Sequence, residues 1–297
     1  MKKWWLLLSV LAIWILLGLI LFARSGTAAA ADNTSLTSGL RIVSMSPNLT
    51  EILFALGLDE RIAGVTSDSD WPAAALDKPK VGTFWQPNLE AIIANAPDLV
   101  VTLDISRHIN LATRLRRVGC GVLTIKLETI SNLFAAIAQI GDAAQRHSQA
   151  ERLLSDLGAK LDNLKAAESG DRPRVLWVVQ RQPLRVAGPN TFINELLEIA
   201  GGENAVGDTP YKYPPLGAEE VYAAEVDVII ETAMGQTDLA ELREEAIEYW
   251  SRYESVPAVR KGRIYVINDD TVSRLGPRIV EGVEAIAALL ASAQNEE

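Results

Sequence analysis

The chain has 297 residues, with 28 basic and 38 acidic side chains and a formal net charge of −10 at neutral pH. This length suits one large domain or two modest ones. The excess of acidic side chains argues against nucleic acid or an anionic membrane surface as the partner. The only cysteine, Cys120, excludes an internal disulfide, so the fold must be stabilised by its hydrophobic core alone.

Residues 1–31 are interpreted as a targeting segment. Lys2 and Lys3 precede a mostly apolar run over residues 4–22, and small residues near Ala31 follow it. This pattern is typical of a secretory signal, although the apolar run is long enough to serve as a retained N-terminal membrane anchor. Under either alternative the rest of the chain lies outside the cytoplasm, in the periplasm or an equivalent compartment. A polar linker is expected over residues 32–40.

Short strands and helices alternate over residues 41–145, which predicts an N-terminal α/β lobe. Strands are expected at 41–46, 62–65, 98–103 and 121–126, and helices at 47–57, 88–96 and 109–118. At the start of the first helix, Asn48 and Glu51 resemble a capping box. Strands separated by single helices favour parallel pairing through right-handed crossovers.

The connecting segment, residues 146–170, differs from the lobe before it. Residues 148–169 have the pattern of one helix of about 33 Å at 1.5 Å per residue. A helix of this length between two α/β segments is interpreted as a rigid connector. The alternative is a long helix packed within a single domain.

The α/β pattern resumes over residues 171–297 and predicts a C-terminal lobe. Strands are expected at 174–180, 226–232 and 263–269, and helices at 191–202, 218–224, 238–253 and 278–293. The predicted fold class is therefore α/β, with two α/β lobes that contain central parallel sheets. One long helix joins the lobes, and the ligand cleft lies between them.

Two segments in different lobes are copies of each other without a gap. Residues 88–102 and 217–231 align at a constant offset of 129, which pairs Glu90 with Glu219 and also pairs two aspartates that precede strands. The helix dipole explains one glutamate near a helix N-terminus and contributes a few tenths of a kcal/mol. It does not explain why both lobes carry one at the same place. The recurrence predicts two acidic contacts for a partner that offers arginine.

The chain offers little for catalysis. It contains no G-x-S-x-G motif and no phosphate-binding P-loop motif, and its two histidines are too few for a histidine-rich metal site. No catalytic residue and no metal ligand is therefore assigned. Aromatic and cationic side chains on loops after strands instead suit a large, partly flat organic ligand. The expected contacts are Trp85, Tyr213, Trp71, Arg181, Arg185 and His108.

The chain closely resembles periplasmic substrate-binding proteins of ABC importers, in the branch that serves cobalamin, ferric siderophores and heme. The resemblance covers about residues 40–290 and rests on RIVSMSPNLTEILFALGLDERIAGVT, SDWP, VGTFWQPNLEAIIANAPDLVV and NELLEIAGGENAV. It implies two lobes joined by a rigid helix, with limited closure on binding. It also implies that Glu90 and Glu219 dock onto arginines of a permease dimer. Trp85 and Tyr213 match aromatic contact positions, and Asp68, which lies where related proteins often have tyrosine, is also expected to contact the ligand.

The resulting hypothesis is an exported binding protein that delivers a metal chelate to an ABC importer. The protein would have no cofactor of its own, because cobalt or iron would arrive within the ligand. A monomer is expected. The sequence leaves cobalamin, a ferric siderophore and heme open as ligands. Two alternatives from other classes are an exported hydrolase that uses His108 and a membrane-anchored sensor without a permease.

Overall fold

A computed structural model describes residues 39–165, 172–233, 235 and 238–295. The expected signal or anchor at residues 1–31 lies outside these ranges. Within them, no helix has both the length and the apolar character needed to cross a bilayer.

The N-terminal lobe is built on a four-stranded parallel sheet in the order β2-β1-β3-β4. Its strands are β1 (Ile42–Ser44), β2 (Ile62–Gly64), β3 (Leu99–Leu103) and β4 (Gly121–Ile125). Its helices are α1 (Pro47–Ala55), α2 (Leu89–Ala94), α3 (Ser106–Arg117) and α4 (Ile130–Ala143). Each strand and helix predicted for residues 41–145 is present, and α3 begins earlier than the predicted residue 109.

Helix α5 (His147–Leu164) follows this lobe in the chain. Its 18 residues span about 27 Å at 1.5 Å per residue, less than the helix predicted for 148–169. The buried side chains of Ala150, Leu157 and Leu161 face the core, where α5 packs against α4. The connector is therefore one layer of a helical core. The last residues of the predicted connector lie outside the described ranges.

The C-terminal lobe contains a five-stranded sheet. Its strands are β5 (Arg174–Arg181), β6 (Leu184–Val186), β7 (Glu203–Asn204), β8 (Val228–Ala233) and β9 (Ile264–Asn268). Its helices are α6 (Phe192–Ile199), α7 (Ala218–Ala223), α8 (Leu239–Trp250), α9 (Pro257–Arg260), α10 (Asp269–Val272) and α11 (Ile279–Asn295). The main order is β6-β5-β8-β9, with β7 paired to β5. The antiparallel hairpin of β5 and β6 was not predicted, and Gln182 and Pro183 form its turn.

One hydrophobic core runs through both lobes. It joins one face of each sheet, represented by Val101 and Trp177, to α1, α4, α5, α6 and α11. The outer face of the first sheet packs on Ile92 of α2, and that of the second packs on Val221 of α7 and Trp250 of α8. The predicted two-lobed α/β fold is confirmed, and α2 and α7 occupy equivalent outer layers of the two lobes.

Candidate functional site: the cleft between the lobes

Ion pairs connect the lobes at opposite edges of their sheets. Asp70, which lies after edge strand β2, forms a two-pronged pair with Arg274, which lies after edge strand β9. At the other edges, Lys212 reaches Glu128, which lies after β4, with an N–O distance of 3.1 Å. Loops that follow parallel strands commonly form ligand sites, so these two contacts mark the ends of the candidate cleft. The Arg274 guanidinium lowers the pKa of Asp70, which keeps this pair ionised at neutral pH.

A third ion pair between the lobes is buried. Arg278 donates from Nε to Glu51 at 3.0 Å and from Nη2 at 2.7 Å. Burial raises the pKa of Glu51, and the hydrogen bond and charge of Arg278 oppose that rise. The capping box predicted for Asn48 and Glu51 is wrong, because α1 begins after Ser46 and Glu51 points at the other lobe.

Trp71 lies beside this pair and is 48% exposed. The guanidinium carbon of Arg278 lies 4.5 Å from the centre of its ring, which is cation–π geometry. One face of Trp71 is therefore covered by the protein itself, and the other part of the ring is open to solvent. Its predicted contact with ligand stays a prediction.

Trp85 is the most exposed tryptophan in the described ranges, at 64%, and its loop is held from several sides. Arg107 donates to the Trp85 carbonyl oxygen, and Asp68 accepts the backbone N–H of Phe84. The Phe84 ring packs edge-on against Trp85, with ring centres 4.7 Å apart. Asp68, predicted to touch ligand, is thus engaged in fixing the loop that presents Trp85.

His108 also contributes to holding the loop that presents Trp85. It is fully buried, its Nδ1 accepts the Leu103 N–H at 3.3 Å, and its Nε2 lies 3.1 Å from the Phe84 carbonyl oxygen. A carbonyl only accepts, so Nε2 carries the proton and the ring is neutral. Burial lowers the pKa of His108 against the opposing effect of the Phe84 carbonyl. Both ring nitrogens are thus engaged inside the lobe, and the predicted contact of His108 with ligand stays a prediction.

On the opposite lobe, Tyr211 and Tyr213 flank Lys212 at one end of the cleft. They are 64% and 37% exposed. Arg185 lies within β6, and its Nη1 donates to the Tyr213 carbonyl oxygen at 3.1 Å. Burial raises the pKa of Tyr213, so its phenol stays neutral at physiological pH. Both Arg185 and Tyr213 remain exposed enough to meet a ligand, and their predicted contacts remain predictions.

Arg181 does not offer a free charge. Its Nε and Nη2 donate to Glu231 at 2.9 and 2.7 Å, and Trp250 donates to the same buried carboxylate at 2.7 Å. Tyr249 donates to the Arg181 carbonyl oxygen. A concavity of about 210 Å³ beside this pair lies between β5, β8 and α8. Arg181 therefore fastens the hairpin to β8 and α8, and its predicted contact with ligand stays a prediction.

The copied helices α2 and α7 each have six residues and carry their glutamate at the second position. Glu90 and Glu219 are exposed and have no hydrogen-bond or ion-pair partner among the described residues. Neighbouring side chains cap these helices, because Asn88 accepts the Ala91 N–H at 3.0 Å and Glu220 accepts the Gly217 N–H at 2.9 Å. Both glutamates are therefore available to a partner.

Sequence reasoning missed Arg274 and Arg278. They lie in a segment without a motif, between the last strand and the last helix, and only the folded chain brings them to Asp70 and Glu51. In the part of the chain that the structure describes, no group of three or more His, Cys, Asp or Glu side chains is placed to hold a metal ion.

Residues 42–271 match a sequence family described as periplasmic binding protein. The chain belongs to this family. Proteins that this chain resembles include YvrC, an ABC transporter substrate-binding lipoprotein of Bacillus subtilis, which is 28% identical over 88% of this chain and 82% of its own length. The vitamin B12-binding protein of Vibrio parahaemolyticus is 24% identical over 82% of this chain and 86% of its own.

Among solved structures, the periplasmic heme-binding protein RhuT from Roseiflexus sp. RS-1, in apo form, has a TM-score of 0.75 and 25% identity. That match covers 86% of this chain and 99% of RhuT. As a member of the family, this chain is a substrate-binding protein. The resemblance inferred from its sequence motifs is confirmed.

Proposed function

We propose that this chain captures a cobalamin-type metal chelate outside the cytoplasm and delivers it to the permease of an ABC importer. The observation that carries the proposal is the exposed Trp85, whose loop is held by Asp68 and Arg107 in one lobe, together with the exposed Tyr213 in the other lobe. Exposed aromatic rings on fixed loops suit a large, flat, amphipathic ligand. Related proteins that bind vitamin B12 support the same choice.

Two observations favour a corrinoid over heme. A corrinoid brings its own metal ligands, whereas heme iron in proteins takes axial ligands such as histidine or tyrosine. His108 uses both ring nitrogens within its lobe, and burial raises the pKa of Tyr213, which disfavours the phenolate that would bind iron. Tyr211 is the exposed alternative for heme, and the related heme-binding structure keeps heme as the second candidate.

A ferric siderophore is less well supported. Its carboxylate or catecholate charge calls for unpaired cations at the cleft. Arg181 is neutralised by Glu231, Arg274 by Asp70, and Lys212 by Glu128, which leaves Arg185, bonded to the Tyr213 carbonyl oxygen, as a cation available to such a charge. The alternative of an exported hydrolase is also less well supported, because His108, the histidine that it would use, is buried.

Tryptophan fluorescence tests the ligand. Purified protein would be titrated with cyanocobalamin, heme and ferrichrome, and we expect saturable quenching by cyanocobalamin. Trp85→Leu should weaken that binding by about tenfold, in line with 0.5–1.5 kcal/mol for an aromatic contact beyond its buried area. The purified protein would begin at residue 32. Trp5 and the other tryptophans within residues 1–31 would then be absent and would not contribute to the fluorescence. Saturable binding of only heme or ferrichrome would overturn the corrinoid proposal.

Glu90 and Glu219 are proposed to dock onto arginines of the permease, one from each lobe. Their carboxylates are exposed, without partners in the described ranges, and fixed to one continuous core. We expect Glu90→Gln with Glu219→Gln to abolish uptake of cobalamin by cells and to leave the ligand affinity of the purified protein unchanged. Glu60→Gln with Glu241→Gln is the matched control, since it removes two other exposed acids. Loss of ligand affinity in the first double variant would contradict a docking role.

The location proposed for the chain is the periplasm or an equivalent exported compartment. The basic start and the apolar run at residues 4–22 support export. A monomer that meets one permease dimer accounts for two docking sites on a single chain. Fractionation of host cells followed by a carbonate wash distinguishes a cleaved signal, which gives soluble protein, from a retained anchor.

A further inference from the structure

The exposed faces of α2 and α7 match beyond their glutamates. One turn after Glu90 lies Ile93, and one turn after Glu219 lies Tyr222, again at the offset of 129. These side chains are 40% and 44% exposed. Residues three apart on a helix share a face, so each helix presents a carboxylate with a large apolar group beside it.

The next position continues the match. Ala94 and Ala223 are both exposed, and in each helix they extend the face that carries the glutamate and the apolar group. A small side chain lets another surface approach the helix backbone closely. Single exposed apolar residues are ordinary and need no explanation. The recurrence of the same three-residue face in both lobes does need one.

The two faces differ in how firmly their large apolar side chain is held in place. Tyr222 is held in place, because its hydroxyl donates to the Arg252 carbonyl oxygen at 3.4 Å and its ring packs 5.6 Å from that of Tyr253. Ile93 is aliphatic, and within the described ranges it makes no hydrogen bond or ring contact of this kind through its side chain. A preorganised tyrosine contributes a large contact area with little loss of conformational freedom on binding. The C-terminal lobe therefore carries the stronger face.

We propose that Ile93 and Tyr222 contact the permease directly, each beside its glutamate, and that Tyr222 contributes more to affinity. The inference rests on the proposed function and commits to the permease as the only occupant. The unpartnered carboxylates call for cations on that partner, and the adjoining side chains call for an apolar surface next to each cation. Because one core holds both lobes, the partner must present this surface twice at a fixed separation.

Photo-crosslinking in the host cell tests the contact. The photoreactive residue p-benzoylphenylalanine would replace Glu90, Ile93, Glu219 or Tyr222 in turn, and crosslinked bands would be identified by mass spectrometry. Val118 is the matched control, since it is 56% exposed and lies between α3 and β4, away from the cleft end of the sheet. We expect an ABC permease chain in the products from positions 93 and 222 and none from position 118.

Uptake measurements rank the two faces. We expect Tyr222→Ser to lower cobalamin uptake at limiting protein by about tenfold, and Ile93→Ser to lower it less. Tyr222→Phe keeps the ring and should retain uptake. Val118→Ser should behave like the wild type. Ligand affinity of each purified variant, measured by fluorescence, shows that the fold and cleft are intact.

The outcomes separate the two proposals. Permease products from positions 90 and 219 with none from 93 and 222 would overturn this inference and leave the docking role in place. No permease product from any of the four positions would overturn both. Products that contain a second copy of this chain at 93 or 222 would also overturn the inference, because they would assign these faces to self-association.

Discussion

Asp98 accepts a hydrogen bond from the backbone N–H of Arg41 at 2.8 Å, and its own backbone N–H donates to the Arg41 carbonyl oxygen at 2.9 Å. The same reciprocal pair joins Asp227 to Arg174 in the other lobe, at 3.0 and 2.8 Å. Each pair fastens the first strand of its lobe to the neighbouring strand. The aspartates in the copied segments are therefore structural, whereas the glutamates face outward.

The turn before each aspartate is also copied. Ala96 and Glu225, which align at the same offset, both have a left-handed backbone, with φ of 42° and 47°. Arg41 donates from Nε to the Ala96 carbonyl oxygen at 3.2 Å, and Arg174 donates to the equivalent turn at 2.9 Å. These contacts fix the angle between each short helix and the strand that follows, so both glutamates project in the same way from their sheets.

Removing the Asp227 carboxylate should destabilise the protein. Asp227→Ala leaves the Arg174 N–H without its acceptor at a half-buried site, so we expect the free energy of unfolding to fall by about 1–3 kcal/mol. Asp98→Ala should cost less, because its site is exposed to water. Urea denaturation measures both, and the exposed Asp77→Ala is the control. Equal behaviour of Asp227→Ala and Asp77→Ala would contradict the structural role.

Most of the fold follows from local patterns. The alternation of short apolar runs with amphipathic segments predicted each parallel strand except the two-residue β7, because a buried strand and its covering helix leave strong periodic signals. Strand β6 was missed, since it is three residues long and carries Arg185 on an exposed position. A hairpin strand of that length is defined by its partner more than by its own sequence.

The site was predictable only in part. Exposed aromatic residues on loops, such as Trp85, could be recognised because they lie outside the periodic apolar pattern that forms the core. The ion-pair partners within the chain could not be predicted, since Glu51 and Arg278 lie 227 residues apart and no local pattern links them. For the same reason the partners of His108 and Arg181, which lie in distant loops and strands, could not be predicted from the sequence.

Arg278→Met should reveal how much the buried pair of Glu51 and Arg278 contributes to the free energy of unfolding. Glu51 would remain as a buried carboxylate without its cation, and we expect a loss of about 3–5 kcal/mol in the free energy of unfolding at pH 7.5. The double variant with Glu51→Leu removes both charges and should recover most of that loss. Denaturant titrations of the two variants provide the comparison.

The free energy of unfolding that is lost in Arg278→Met should also depend on pH. Burial already raises the pKa of Glu51 in the folded protein, and removing Arg278 takes away the hydrogen bond and the nearest charge that oppose the rise. A carboxyl with a raised folded pKa gains stability as pH falls, because the folded state then binds the proton more readily than the unfolded state. The cost of Arg278→Met should shrink between pH 7.5 and pH 5. A cost that grows over that range would mean that Glu51 is not desolvated.

Asp68 should influence ligand binding through the loop that it holds. Asp68→Ala frees the Phe84 N–H and loosens the presentation of Trp85, so we expect cobalamin affinity to fall about fivefold to tenfold. Asp68→Asn keeps an oxygen acceptor and should bind nearly as well as the wild type. Fluorescence titration measures both variants. A similar loss in both would instead favour a direct contact between the Asp68 charge and the ligand.

His108 should make the protein less stable in mild acid. Its folded pKa is lowered by burial, whereas the unfolded chain takes up the proton near the ordinary value of about 6.5. As pH falls below that value the unfolded state binds the proton first, so the stability of the wild type declines by at most about 1.4 kcal/mol per pH unit from this group. His108→Gln has no such group and should be less stable at pH 7.5, because it loses the contacts to Leu103 and Phe84. The gap between wild type and variant should therefore narrow from pH 7.5 to pH 5.5. Other titrating groups, including Glu51, cancel in this difference, so a gap that stays constant would show that His108 is protonated or solvated in the folded state.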